Sequence, residues 1–269
     1  MNTPILTCTA TEATLLVSLL GAPTLLGLQD PFVGWLTEEI TVAWERARAA
    51  LVARRVLALG IDAALMLDPA TGVLLHTWAF PVASYILTRT PAGGTTATHY
   101  FHMGPHLAVE QTQAGDDITV TGLPDRAAVV ARVADLLGIV AQRAAPGGPA
   151  TLPEAAFLAA RAQGAAGERA AALVVLRRAA VGEETAQALA ASLRRPVLHG
   201  ALVALARRPT AWEVAGLGLL DSAGGLWQLR SFTRDGTAWV EAIPTDAGAL
   251  RTALRRAMYR VLSTPLPVG

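Results

Sequence analysis

Between Asp235 and Leu262 the apolar positions change period once. Ala238 to Ile243 is a short apolar run rich in β-formers, and Pro244 is expected to end it, which predicts a strand. Leu250, Ala253, Leu254, Ala257, Met258, Val261 and Leu262 then recur at helical spacing, with Arg251, Arg255, Arg256 and Arg260 off that stripe. Thr245 or Asp246 can cap the helix by accepting a bond from a free N–H of its first turn.

The same order occurs earlier, in Asp116 to Leu137. A displacement of 120 residues places Pro124 on Pro244, Leu123 on Ile243, Val120 on Val240 and Val130 on Leu250. Upstream it places Leu107 and Val109 on Trp227 and Leu229, and Gly104 on Gly224. The chain therefore reads as two copies of one unit, strands followed by a helix.

Thr11 to Leu20 predicts a short helix stopped by Gly21-Ala22-Pro23. Thr37, with Glu38 and Glu39 in its first turn, opens a longer one ending at Gly60; Arg54 and Arg55 near its end suit the helix dipole. Ile61 to Leu67 is a short apolar segment, and Asp68-Pro69 opens a helix to about Trp78. Four strands are then expected at Val82–Thr90, Thr95–Met103, Leu107–Gln113 and Asp117–Thr121, closed by a helix from Pro124. Ala144 to Ala150 is the clearest linker. Leu152 to Leu193 carries no strand signal and divides at glycines into about three helices. Strands return at Val197–Ala206, Trp212–Asp221, Leu226–Phe232 and Thr237–Ile243, and Ser263 to Gly269 is a tail.

The expected class is α+β: two pseudo-symmetric antiparallel sheet-plus-helix halves, with a helical N-terminal segment and a helical insert. The halves are 1–143 and 151–269, either separate or folded into one compact domain.

Composition changes this picture in three ways. Hydrophobic residues make up 52% of the 269 and charged residues 16%, enough for a large core. Mean hydropathy is +0.41, yet each long uncharged run is cut by Pro or Gly, so no membrane span is expected. All 22 basic residues are Arg, which removes Lys-dependent chemistry such as the P-loop and Schiff bases. The single cysteine, Cys8, makes no internal disulfide and fits a reducing, cytoplasmic setting.

Candidate chemistry is sparse. His99, His102 and His106 are the only histidine cluster, but on a strand His99 and His102 point to opposite faces, and no metal or cofactor is expected. There is no Gly-x-Ser-x-Gly elbow, and the Gly-rich Pro91–Thr96 stretch joins strands rather than opening a helix. No catalytic residue is assigned; an enzyme would require a deep pocket with convergent polar groups. Most of the six tryptophans are expected to anchor the core or a sheet face. Arg pairs at 54–55, 177–178, 194–195, 207–208 and 255–256 keep a nucleic-acid-binding regulator, acting through the N-terminal helices, as the alternative. The net charge of +1 weighs against it.

Three stretches carry a family resemblance. Trp44 to Leu57, WERARAALVARRVL, resembles the helix that in EspG-like, ESX-secretion-associated proteins ends in an Arg-Gly-Leu-Leu-like run; here Arg55-Val56-Leu57 stands at Gly-Leu-Leu. Leu217 to Arg230, LGLLDSAGGLWQLR, is similar to the family's strand, Gly-containing turn and strand. Gly236 to Leu254 is similar to its closing strand, Pro and helix. The resemblance implies a cytoplasmic, non-enzymatic chaperone of type VII secretion that holds a helical tip of a secreted substrate pair.

A partner helix needs an apolar groove. The alanine-rich helices around Leu173–Leu176 and Leu189–Leu193 offer one, so Leu173, Val174, Leu176, Leu189 and Leu193 are the candidate partner-binding residues. The competing use of the same side chains is packing onto the sheet.

Overall fold

The computed structural model describes residues 5–22, 25–59, 65–207 and 212–263. Pro23, Gly60, Ile61 to Ala64 and the tail from 264, all named in the reading above, lie outside these residues. The fold is α+β, and the chain divides into two compact units, residues 1–84 with 99–129 and residues 85–98 with 130–269.

The first unit contains β1 (Ile5–Thr9), α1 (Ala10–Leu19), α2 (Thr37–Ala53), β2 (Leu57–Leu59), β3 (Leu65–Leu67) and α3 (Pro69–Ala79). Later in the chain come β5 (Ala97–Met103), β6 (Ala108–Ala114) and β7 (Asp117–Leu123). Its sheet runs β1-β7-β6-β5, and β2 with β3 forms a separate hairpin. Leu6, Cys8, Val109, Ile118 and Val120 on the sheet meet Leu16, Leu51, Leu74, Leu75 and Trp78 of the helices.

Caps set the helix limits. Thr9 and Glu12 form a capping box on α1, and Asp68 accepts from Thr71 N at the start of α3. At the end of α2, Val56 N donates to Leu51 O and Arg55 N to Val52 O, the two bonds of a Schellman motif. Arg55 sits there at φ 59°, the left-handed position that favours Gly. This local turn, rather than Gly60, stops the helix.

A polar chain is buried beneath α3. Trp78 Nε1 donates to Gln111 Oε1 at 2.6 Å. An indole can only donate, so the amide oxygen faces it, and His102 Nε2, at 3.2 Å from the same oxygen, must donate as well. His102 Nδ1 then accepts from the Ser84 hydroxyl at 3.0 Å. Burial pulls the His102 pKa down to about 4, against the Gln111 bond.

The second unit holds β4 (Ala83–Pro91, all but its first two residues), most of α4 (Arg126–Leu136), β8 (Ala150–Pro153), α5 (Glu154–Ala165), α6 (Arg169–Arg178) and α7 (Glu183–Arg194). It continues with β9 (Pro196–Arg207), β10 (Trp212–Ser222), β11 (Gly225–Arg234), β12 (Thr237–Thr245) and α8 (Ala247–Ser263). Its strands run β4-β9-β10-β11-β12-β8. One sheet face carries α8: Tyr85 donates its hydroxyl to Met258 O, and Leu250, Leu254 and Met258 are buried. The other face carries α5, α6 and α7.

Each predicted set of four strands forms, as β4 to β7 and β9 to β12. Four strands lie outside those sets: β2 forms where the Thr37 helix was expected to continue, β3 forms in the segment read only as apolar, and β1 and β8 carried no signal. β1 pairs with β7, and β8, at the junction of the linker and the stretch read as helical, pairs with Trp239–Ala242 of β12. β12 also runs through Pro244, because β8 stops at Ala242 and the outer edge needs no donor there. Asp246 caps α8 through Ala249 N. The 144–150 linker is ordered: Ala145 N donates to Leu226 O, and Gly148 N to Thr185 Oγ1. Trp78 and Trp227 are buried, whereas Trp35 and Trp44 are exposed, so the tryptophans divide between core and surface.

Two outcomes follow from these local features. Arg55→Gly removes a left-handed strain and should raise the unfolding free energy by about 1 kcal/mol in urea titrations. His102 binds a proton more readily unfolded than folded. Its contribution is therefore complete above its ordinary pKa of 6.5 and is lost as pH falls from there to about 4. The loss should total about 3 kcal/mol, and His102→Asn should flatten the stability profile over that window.

Candidate partner-binding surface

Strand pairing assigns the second unit's side chains to faces. Leu220, Trp227, Leu229, Val240, Ala242 and Leu152 lie beneath α5–α7 and form one core with Phe157, Leu176, Leu189 and Leu193. Trp227 Nε1 donates to Ser192 Oγ at 3.1 Å, and Ser192 also bonds Ser222 at 2.8 Å, so the buried indole and both hydroxyls are satisfied. Gly164 lets α5 approach the end of α7; a Cβ there would stand 2.8 Å from the Leu193 backbone.

Toward β9 this helical cover stops. His199, Ala201 and Val203 of β9, with Gly216 and Gly218 of β10, line an open cleft of about 310 Å³ beside Glu154, Phe157, Leu158 and Arg161 of α5. The same sheet face continues through Leu205, paired with Val214, which is 60% exposed. Leu158 on the α5 wall is 50% exposed. Gly218 keeps the floor low because a Cβ would meet Leu229 Cβ at 2.9 Å. The result is an apolar shelf at the foot of a helix.

The shelf is electrically quiet. Burial, and then the charge of Arg161, pull the His199 pKa down to about 4, so its ring is neutral near pH 7. Glu154 and Arg161 are the charged residues of the lining, and Ser231 is its hydroxyl. That set has no paired acid and base and no activated nucleophile; what it offers is apolar area.

The residues put forward from sequence lie elsewhere in the insert. Leu176, Leu189 and Leu193 are buried in the core, packed among α5, α6, α7 and the sheet. Leu173 is half-buried and Val174 is 43% exposed on α6. Leu189 and Leu193, at i and i+4, share one face of α7, and the fold turns that face inward. The shelf residues Val203, Leu205, Val214, Gly216 and Gly218 were missed. The available signal was β9 itself, whose Leu198–Ala206 stretch is almost free of polar side chains on both faces although only one is covered by α8.

The described residues hold a second groove and a few other buried polar groups. In the first unit a groove of about 640 Å³ along α2 is lined by Trp35, Val42, Ala43 and Ala47, with Glu12, Glu39 and Arg46. Glu12 there accepts from Arg54 at 2.6 Å, and Glu39 caps α2 through Leu36 N. His99 bonds Glu110 at 2.8 Å, away from the His102 chain, and no metal-binding group of three converges among the described residues. Burial, then Glu12, push the Cys8 thiol up to about 12, so it stays protonated. No described helix is long and apolar enough to cross a membrane.

Comparisons with known proteins bear on the whole chain. No curated protein matches it significantly in sequence. In fold it is similar to the Mycobacterium tuberculosis type VII secretion system chaperone EspG5, solved in complex with a PE25–PPE41 dimer. The TM-score is 0.69 at 19% identity, over 99% of this chain and 98% of that one. The model of the EspG family matches residues 9–256, and the chain belongs to that family.

Proposed function

We propose that the protein is a cytoplasmic, non-enzymatic chaperone that holds a helical segment of a secreted protein pair on the apolar shelf of β9 and β10. The observation that carries this reading is an uncharged sheet face, floored by Gly216 and Gly218, left open in an EspG-family chain. EspG5, similar in fold, was solved with a bound PE–PPE dimer, which supports a pair of that type as the partner. An exposed apolar helix tip aggregates in water, and burying it against Ala201, Val203, Leu205 and Val214 removes that area from solvent. The α5 wall, with Leu158, sets the direction in which a helix can lie.

Within this proposal Leu173 and Val174 extend the contact along the insert, while Leu176, Leu189 and Leu193 hold α5–α7 in position. The division into halves 1–143 and 151–269 belongs to the same reading. Each half contains a run of four consecutive strands, β4–β7 and β9–β12, with a following helix, and failure of the two runs to superpose strand for strand would end that part.

The test is co-expression with a PE–PPE-type pair, followed by affinity measurement on the purified complex. Val203→Glu and Val214→Glu place a charge on the shelf and should each weaken binding about tenfold to a hundredfold, with thermal unfolding little changed. Unaltered affinity in both variants would remove the shelf from the interface. Because His199 is already neutral, affinity should be flat from pH 6 to 8 and fall toward pH 4 as its ring gains charge.

A further inference from the structure

On the opposite face of the same sheet, α8 covers β9 and β10 but leaves part of β11 and β12 bare. The resulting cleft, about 520 Å³, lies along one flank of the helix. Its floor is aliphatic, built from Leu217, Ile243, Ala253 and Ala257. Its rim is cationic: Arg256 and Arg260 stand one helical turn apart on α8, and Arg230 of β11 faces the same cleft. Among the described residues no carboxylate lines it. Glu241, on the neighbouring strand, reaches Arg230 at 3.4 Å in an exposed pair.

Arg256 and Arg260 have no ion-pair partner among the described residues. Leaving two guanidinium groups unpaired beside an apolar floor has a chemical consequence. The planar guanidinium fork matches a carboxylate, and the floor accepts an aliphatic side chain between such carboxylates. We propose that this cleft docks an acidic amphipathic peptide segment of a partner protein, with its carboxylates on Arg256, Arg260 and Arg230 and an aliphatic residue on Ile243. Charge complementarity chooses this occupant. Nucleic acid is the poorer fit, since the lining has no aromatic ring for a base to stack on and the net charge of +1 gives no attractive field. The proposal is independent of the shelf, which occupies the other face.

The probe is a short fluorescein-labelled peptide of repeating Glu-Glu-Leu-Leu, followed by fluorescence anisotropy on the full chain at low ionic strength. Its Gln-for-Glu counterpart, a DNA duplex and phosphatidylglycerol vesicles form the comparison arms. Saturable binding of the acidic peptide, loss of binding with the Gln peptide, and weakening of about tenfold or more in Arg256→Gln/Arg260→Gln support the assignment. Both arginines are exposed, and a melting curve matching wild type shows that the variant folds. Val203→Glu, on the shelf, should leave peptide affinity unchanged. Absence of peptide binding, equal binding by the arginine variant, loss of binding in Val203→Glu, or retention of DNA or vesicles but not of peptide would each overturn it.

Discussion

A β-sheet has two faces, and an apolar strand in its middle must have both covered or leave one open. In the second unit that constraint decides the architecture. α8 covers one face of β9 and β10, while α5–α7 cover the other face over β11, β12, β8 and the Leu220 end of β10, and stop short of the His199–Val203 stretch of β9. Ala201, Val203, Leu205 and Val214 are what remains. Their exposure has no counterpart in the unit's core, where Trp227, Leu229 and Val240 are closed over by Phe157 and Leu193.

Close backbone approach is what keeps the helical cover compact. Gly164 admits Leu193, and Gly147 lies where a Cβ would stand 2.7 Å from Thr185 Oγ1, so α5 packs closely on the end of α7 and the linker on its start. Each unit also buries one tryptophan beneath its helices with the indole N–H satisfied, Trp78 by Gln111 and Trp227 by Ser192. Those bonds specify how helices sit on the sheet, because a displaced helix would leave a buried donor unpaired. The same order prevails around His102, whose neutrality is tied to its burial. Precise seating of the helices is thus a property of both units, and the open apolar area is a bounded region rather than loose packing.

Much of the fold was legible because its signals are local. Alternation and Gly or Pro turns mark β4–β7 and β9–β12, and Asp235-Gly236 forms the two-residue turn of its hairpin, with φ of 50° and 74°. β1 and β8 were not legible: each is short and owes its state to an edge supplied by β7 or β12, which is tertiary information. Pro244 misled for a related reason, since its tolerance depends on where β8 stops. Arg55 shows that the left-handed position of a helix-ending turn can be held without a glycine. Of the candidate site, the insert was legible as a helical cluster, but helical spacing alone does not say which leucines face inward. Leu176, Leu189 and Leu193 lie in the core, and the exposed apolar face lies on β9 and β10, which the sequence marks as strands without marking an uncovered face.

The central claim is that the apolar shelf of β9 and β10 is where a partner is held. Amide hydrogen exchange on the chain alone and in complex with a co-purified PE–PPE-type pair tests it most directly. The account predicts new protection concentrated in Leu198–Leu205, Val214–Gly218 and the first turns of α5. Protection confined to the α2 groove near Trp35 and Val42, with β9 and β10 exchanging as in the free chain, would contradict it.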